Sequence, residues 1–218
     1  MFSKLIILFF IYSVIGYICE VINCYMANKK LKDRGFLLGP YCPIYGFGAI
    51  LLTLTLTKYK TDLLILLSTS MIICGLLEYL TSYVLEKIFK MRWWDYSNKK
   101  YNINGRICLE TLIPFSIGGV IIIKFLNPIF FNMINNINII FLRILAFIIS
   151  CILIIDLTIS LNIAFNFKKI AKKIKKDSTE EIKEYIQKYV INKSLYKRLI
   201  NAFPSLKRSK RSKRSKKR

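Results

Sequence analysis

The stretch RGFLLGPYCPIYGFG, Arg34 to Gly48, holds four glycines and two prolines in fifteen residues and leads straight into an apolar run. Glycine-rich turns that open helices often cradle phosphate. Whether this one is a nucleotide loop, a broken membrane helix or a plain helix entrance decides what kind of chain it belongs to. A Walker phosphate loop needs G-x-x-x-x-G-K-[ST] after a strand. Gly35 to Gly39 is not followed by Lys-Ser/Thr, and the motif occurs nowhere else in the chain. A dinucleotide fingerprint also fails, because the surroundings do not alternate strand and helix. Backbone physics remains. Pro40 and Pro43 favour extended residues before them and fit the first turn of a helix. Gly35 and Gly39 permit turns that other residues resist, and Gly46 belongs to the same candidate helix break.

The wider composition sets the context. Of 218 residues, 54% are apolar, and several stretches reach the roughly 18–20 residues that a bilayer core requires. The expected fold is an all-α, polytopic integral membrane protein with about five spans, near 5–27, 41–57, 63–86, 107–126 and 139–165. The first apolar stretch is too long for a signal-peptide core and lacks a small-x-small cleavage site, so it reads as a membrane helix. Residues 1–166 form the membrane domain, 167–204 an amphipathic cytoplasmic segment, and 205–218 a disordered polybasic tail. The run NPIFFNMINNIN (127–138) reads as an outer-surface turn with Phe130 and Phe131 dipping into lipid.

Basic residues between the spans alternate in number. Lys4 stands alone before the first span; Lys29, Lys30, Lys32 and Arg34 follow it. Lys58 and Lys60 lie in the second connection, and six Lys or Arg lie between residues 87 and 106 in the third. The fourth connection has none, and residues 168–218 carry 20 Lys or Arg against 4 acids. By the positive-inside rule the N-terminus faces out and the C-terminus is cytoplasmic. The Arg34 stretch then dips into the inner face before the second span. Its free N–H groups would face a polar interior as an anion-friendly helix start.

Charged residues within spans are expensive and are therefore candidates for function. Glu20, Glu78 and Glu110 fall in the cytoplasmic half, with Arg34 and Arg106 at its rim. Together they suggest a polar vestibule open to the cytoplasm. The alternative is that Glu20 or Glu110 simply pairs with one of these arginines. Asp156 lies nearer the midplane, as either an interhelical hydrogen-bonding group or a proton or ion site. Between the third and fourth spans, Trp93, Trp94, Asp95 and Tyr96 form an interfacial motif, and Asn104-Gly105 reads as a turn.

Four pieces in order, YSVIGYICE (12–20), RGFLLGPYCPIYGFG (34–48), WWDYS…NINGRICLE (93–110) and RLINAFPSLK (198–207), resemble the ABC-transporter type IV permease family, the CmpB-like bacterial membrane proteins. The resemblance implies a permease of the bacterial cytoplasmic membrane and settles neither substrate nor binding residues. An ATPase would have to act in trans, since this chain has no nucleotide motif. The competing expectation is a non-transport adaptor that holds protein partners or anionic inner-leaflet lipids through its basic tail. A homo-oligomer is compatible with either. Nucleic-acid binding by the tail is disfavoured. An enzyme is not expected. There is no histidine, no nucleophile with a base beside it, and none of the six cysteines forms a C-x-x-C pair. No cofactor or metal is expected.

Overall fold

The computed structural model describes residues 1–29, 35–90 and 92–176. Arg34, the cytoplasmic segment past Lys176 and the polybasic end fall outside the described residues. The helices are α1 (Phe2–Asn28), α2 (Pro43–Leu56), α3 (Leu63–Phe89), α4 (Leu109–Ile121), α5 (Asn127–Asn135) and α6 (Ile139–Lys176). Four segments are long and apolar enough to cross a membrane: Phe2–Met26, Leu63–Phe89, Leu109–Asn135 and Ile139–Asn166. Their outer faces carry bare apolar side chains such as Ile18, Ile72, Leu76, Phe147 and Ile154, while Ser13, Ser70, Ser116, Glu78 and Asp156 are buried. Apolar outside and polar inside suits a bundle surrounded by lipid. The chain is a multi-pass helical membrane protein.

The expected span 41–57 takes a different form. α2 has only 14 residues, about 21 Å of rise against the roughly 30 Å of a bilayer core. It starts inside the bundle, because the Cys42 N–H just before it donates to the Ser13 carbonyl at 2.8 Å, and Ser13 lies near the centre of α1. Pro43 opens the helix, where its missing N–H costs nothing. Residues 35–42 reach that depth as irregular chain. The stretch is thus a short helix with a loop running into it.

The expected turn at 127–138 is a correction. A wide turn over Ile122–Leu126 joins α4 to α5 into one rod, with the Asn127 N–H donating to the Ile122 carbonyl. The looser turn just before Pro128 absorbs the hydrogen bond that proline cannot make. Phe130 and Phe131 therefore pack inward on a cluster of Ile7, Leu8, Tyr12, Ala49 and Leu142, with Phe130 edge-on to Tyr12 at 5.6 Å. The chain turns later, where the Asn138 side chain accepts the Ile140 N–H at 2.9 Å.

The bundle closes at both ends. Lys4 reaches Asn135 at 2.5 Å, bringing the start of α1 to the end of α5. At the other end Phe89, Trp93 and Ala164 pack together with Phe36 and Leu161. Close approach of α1 and α2 depends on Gly16, since a Cβ there would overlap the Tyr45 ring. α6 runs unbroken past residue 166 to Lys176, so the expected boundary between membrane domain and tail lies within one helix. Its 38 residues amount to about 57 Å, more than a bilayer core.

The connection between α3 and α4 departs slightly from an all-α fold. β1 (Asn102–Ile103) pairs antiparallel with β2 (Ile107–Cys108). Asn104 and Gly105 both take positive φ, 53° and 66°, and the Arg106 N–H donates to the Ile103 carbonyl at 3.0 Å. Asn-Gly is the pair such a primed turn favours. A Cβ at Gly105 would also press on the side chains of Ser97, Asp95 and Arg92.

Candidate functional site

Asp156, from the middle of α6, is the partner of the glycine-proline loop. Its carboxylate accepts the Leu38 N–H and the Gly39 N–H, both at 2.8 Å. Tyr41 and Ser160 donate hydroxyls to it at 2.5 and 2.9 Å. The loop's backbone donors therefore meet a carboxylate of this chain. Two peptide N–H groups held by one anion explain how irregular backbone sits inside the bundle. Gly35 and Gly46 are buried, Pro40 is exposed and Pro43 is half-buried.

A second polar cluster lies where α1, α2, α3 and the α3–α4 connection meet. Tyr45, in the first turn of α2, donates to Glu20 at 2.6 Å. Tyr96, from the connection, donates to Glu78 at 3.1 Å. The Tyr96 phenol is pushed upward, first by burial and then by the Glu78 charge, so it stays protonated and keeps donating. Glu78 feels the charge of Glu20 across the cluster. It is only 6% exposed, and its Oε2 is buried without a hydrogen-bond partner among the described residues. The Thr111 hydroxyl stands near this carboxylate but is spent on the Cys108 carbonyl at 2.9 Å. A buried acid left half-satisfied weakens a fold. Replacing it with an uncharged side chain of similar volume, Glu78→Met, is expected to hold the unfolding midpoint or to raise stability by on the order of 1 kcal/mol. Thermal unfolding in mild detergent measures this, and a clear loss would mean that the charge supports the fold.

The other expected vestibule groups go elsewhere. Arg106 pairs with Glu86 at 2.8 Å, touches Ser82 at 3.4 Å and lies over the rings of Tyr79 and Tyr83 at 5.7 and 5.4 Å. Glu110 is exposed and pairs with Lys99 at 2.7 Å. Neither pairing considered from the sequence for Arg106, with Glu20 or with Glu110, forms. The hairpin folds Arg106 back onto the last turns of α3, where Glu86 is nearest. Of the three expected glutamates, the structure brings Glu20 and Glu78 together and leaves Glu110 at the surface.

The interfacial motif proves to be an anchored loop. Trp93 is buried at the closed end, and Trp94 Nε1 donates to the Arg106 carbonyl at 2.9 Å. Asn104 Nδ2 donates to the Tyr79 hydroxyl at 3.0 Å. Asp95 accepts the Ser97 hydroxyl at 2.5 Å, the Ser97 N–H at 3.1 Å and Arg92 Nη1 at 3.1 Å. Partial burial works against its ionisation, but these donors outweigh it and hold the carboxyl below the usual range. The folded loop therefore favours the ionised form. Its contribution is full above the unfolded carboxyl value, about 3.9. It fades as pH falls below that, through the lower folded value. Tryptophan fluorescence of Trp93 and Trp94 should change only at that acid edge, and Asp95→Asn should abolish the transition. An unaltered transition in the variant would assign it to another group.

Sequence reasoning missed the two tyrosines as partners of the acids and Asp156 as the loop's anchor. Tyrosine reads as interfacial or core in an apolar chain, and more than a hundred residues separate Asp156 from the loop.

The fold defines a polytopic helical membrane protein with a broken second segment and buried acids in its interior. The profile of the family described as "Putative ABC-transporter type IV" matches residues 7–161, and the chain belongs to that family. The matched region contains Glu20, the glycine-proline loop, Glu78, the hairpin and Asp156. No curated protein and no solved structure matches the chain.

Proposed function

We propose that this chain is the permease subunit of an ABC-type transporter, with its ATPase supplied by a separate chain. The observation that carries the reading is the pair of hydroxyl-capped glutamates, Glu20 and Glu78, beside a broken membrane segment. Discontinuous helices with polar groups at the break are a common way for transporters to build a site in the membrane. Family membership supports the transporter class, and the lack of any nucleotide motif in the sequence calls for an ATPase in trans. On this reading the loop and α2 together make a fifth crossing. The charge alternation puts Lys29, Lys90 and the far end of α6 on the cytoplasmic side. The α3–α4 hairpin and the α6 extension are then the surfaces an ATPase could grip. The chain itself performs no covalent chemistry.

Affinity purification in mild detergent, followed by flux measurements in vesicles, tests the proposal. An ATPase subunit should co-purify and ATP should drive flux. Recovery of no ATPase together with no ATP-dependent flux would sink it. One observation favours a second reading, a membrane adaptor. The 20 Lys or Arg against 4 acids over residues 168–218 would attract anionic lipid by about 1 kcal/mol per basic residue near the surface. Deletion of residues 208–218 should then alter membrane distribution or partner recovery.

A further inference from the structure

Glu20 and Glu78 come from different helices, and each takes one tyrosine hydroxyl. Among the described residues no Lys or Arg forms an ion pair with either. Among the described residues the titratable groups that act on the cluster are Tyr45 and Cys42 from the α2 entrance, Tyr96 and Cys108 from the connection, and Cys74 from α3. None of them carries positive charge. Two neighbouring carboxylates with no basic partner among the described residues leave a site that a cation can fill. Glu78 adds a separate observation: the residue is 6% exposed, and its Oε2 is a buried acceptor with no hydrogen-bond partner among the described residues. Both tyrosines spend their protons on the carboxylates, which leaves their oxygen lone pairs as further acceptors. The set is therefore all oxygen, all acceptor and net negative.

We propose that Glu20 and Glu78 form a binding site for one monovalent cation, taken up in exchange for one proton. The balance is simple. The protonated pair carries one negative charge, and the doubly ionised pair with a bound cation carries one negative charge. The proton leaves to the aqueous phase. A monovalent ion fits better than a divalent or transition metal, because no group of three or more His, Cys, Asp or Glu able to hold a metal ion occurs among the described residues. Oxygen ligands beside aromatic rings suit an alkali cation or a small ammonium group, and both share this chemistry. The proposal deepens the permease reading by naming the class of ligand at its site, but binding itself requires no ATPase.

The test uses the full chain in lipid nanodiscs without ATP. Sodium, potassium and methylammonium chloride are added to weakly buffered protein, with choline chloride at equal ionic strength as the bulky control. At least one small cation should release about one proton per chain and raise the unfolding temperature with the logarithm of its concentration. Which salts act tells an alkali site from an ammonium site. Glu78→Gln should abolish both effects. Glu20→Gln should weaken the apparent affinity about tenfold or more, since charge count sets the affinity of oxygen sites. Glu110→Gln, at the surface, should behave as wild type. If no small cation releases protons from the wild-type protein beyond choline, the site does not exist. Equal response in the wild type and a folded Glu78→Gln or Glu20→Gln variant would overturn it as well. Cation binding without ATP-driven flux would leave the site standing and remove the permease reading; flux without cation binding would do the reverse.

Discussion

Asp156→Ala is expected to cost this protein most of its folded fraction. The substitution strands the Leu38 and Gly39 N–H groups inside the bundle, where each donates to the carboxylate at 2.8 Å. An unmet buried backbone donor costs about 1–3 kcal/mol, so the pair alone amounts to about 2–6 kcal/mol. Lipid cannot substitute for the lost acceptor as water could. Tyr41 and Ser160 lose their acceptor too. Against a total stability of about 5–15 kcal/mol, that loss decides whether the protein survives extraction. Asp156→Asn keeps the shape and one acceptor oxygen, so it should fall between the two. The measurement is the yield of monodisperse protein in mild detergent and its thermal unfolding midpoint. An alanine variant as stable as the wild type would show that the loop does not depend on this anchor.

Gly16→Val should be nearly as damaging, by a different route. The first side-chain atom at position 16 would overlap Cβ and Cγ of Tyr45, the root of that side chain and not its flexible end. The ring cannot swing clear without moving α2, so α1 and α2 must separate. Overpacking of this kind costs about 1–3 kcal/mol. It also pulls the Tyr45 hydroxyl away from Glu20, now 2.6 Å distant. Stability and any cation response should therefore fall together. Gly118→Ala is the matched control, since nothing lies within 4 Å of a Cβ there. Helix propensity alone should leave that variant unchanged or stabilise it by up to about 1 kcal/mol. Equal effects at positions 16 and 118 would refute the close-approach account.

Long apolar runs made the helical membrane class legible, because crossing a bilayer leaves few other ways to satisfy the backbone. Glycine and proline marked the second segment as broken. The acids inside apolar stretches announced themselves through their cost. Where the reading failed, long-range contact was the reason. Pro128 looked like a turn, yet the wide helical turn before it carried the helix through and drew Phe130 and Phe131 inward. Arg106 looked like a partner for Glu20 or Glu110, and the hairpin delivered it to Glu86.

The stretch from Arg34 to Gly48 divides the same way. Its residues alone excluded a phosphate loop and required a backbone break, because both follow from local sterics and from a motif that is missing. What would meet the freed N–H groups depended on which side chain the bundle brought alongside. The answer is Asp156, 118 residues beyond Leu38 in the chain. Glu20 and Glu78 were likewise visible as costly acids, but only the packing of α1, α2 and α3 made them neighbours. Local conformation is written in adjacent residues, whereas the pairing of buried charges is set by helix packing.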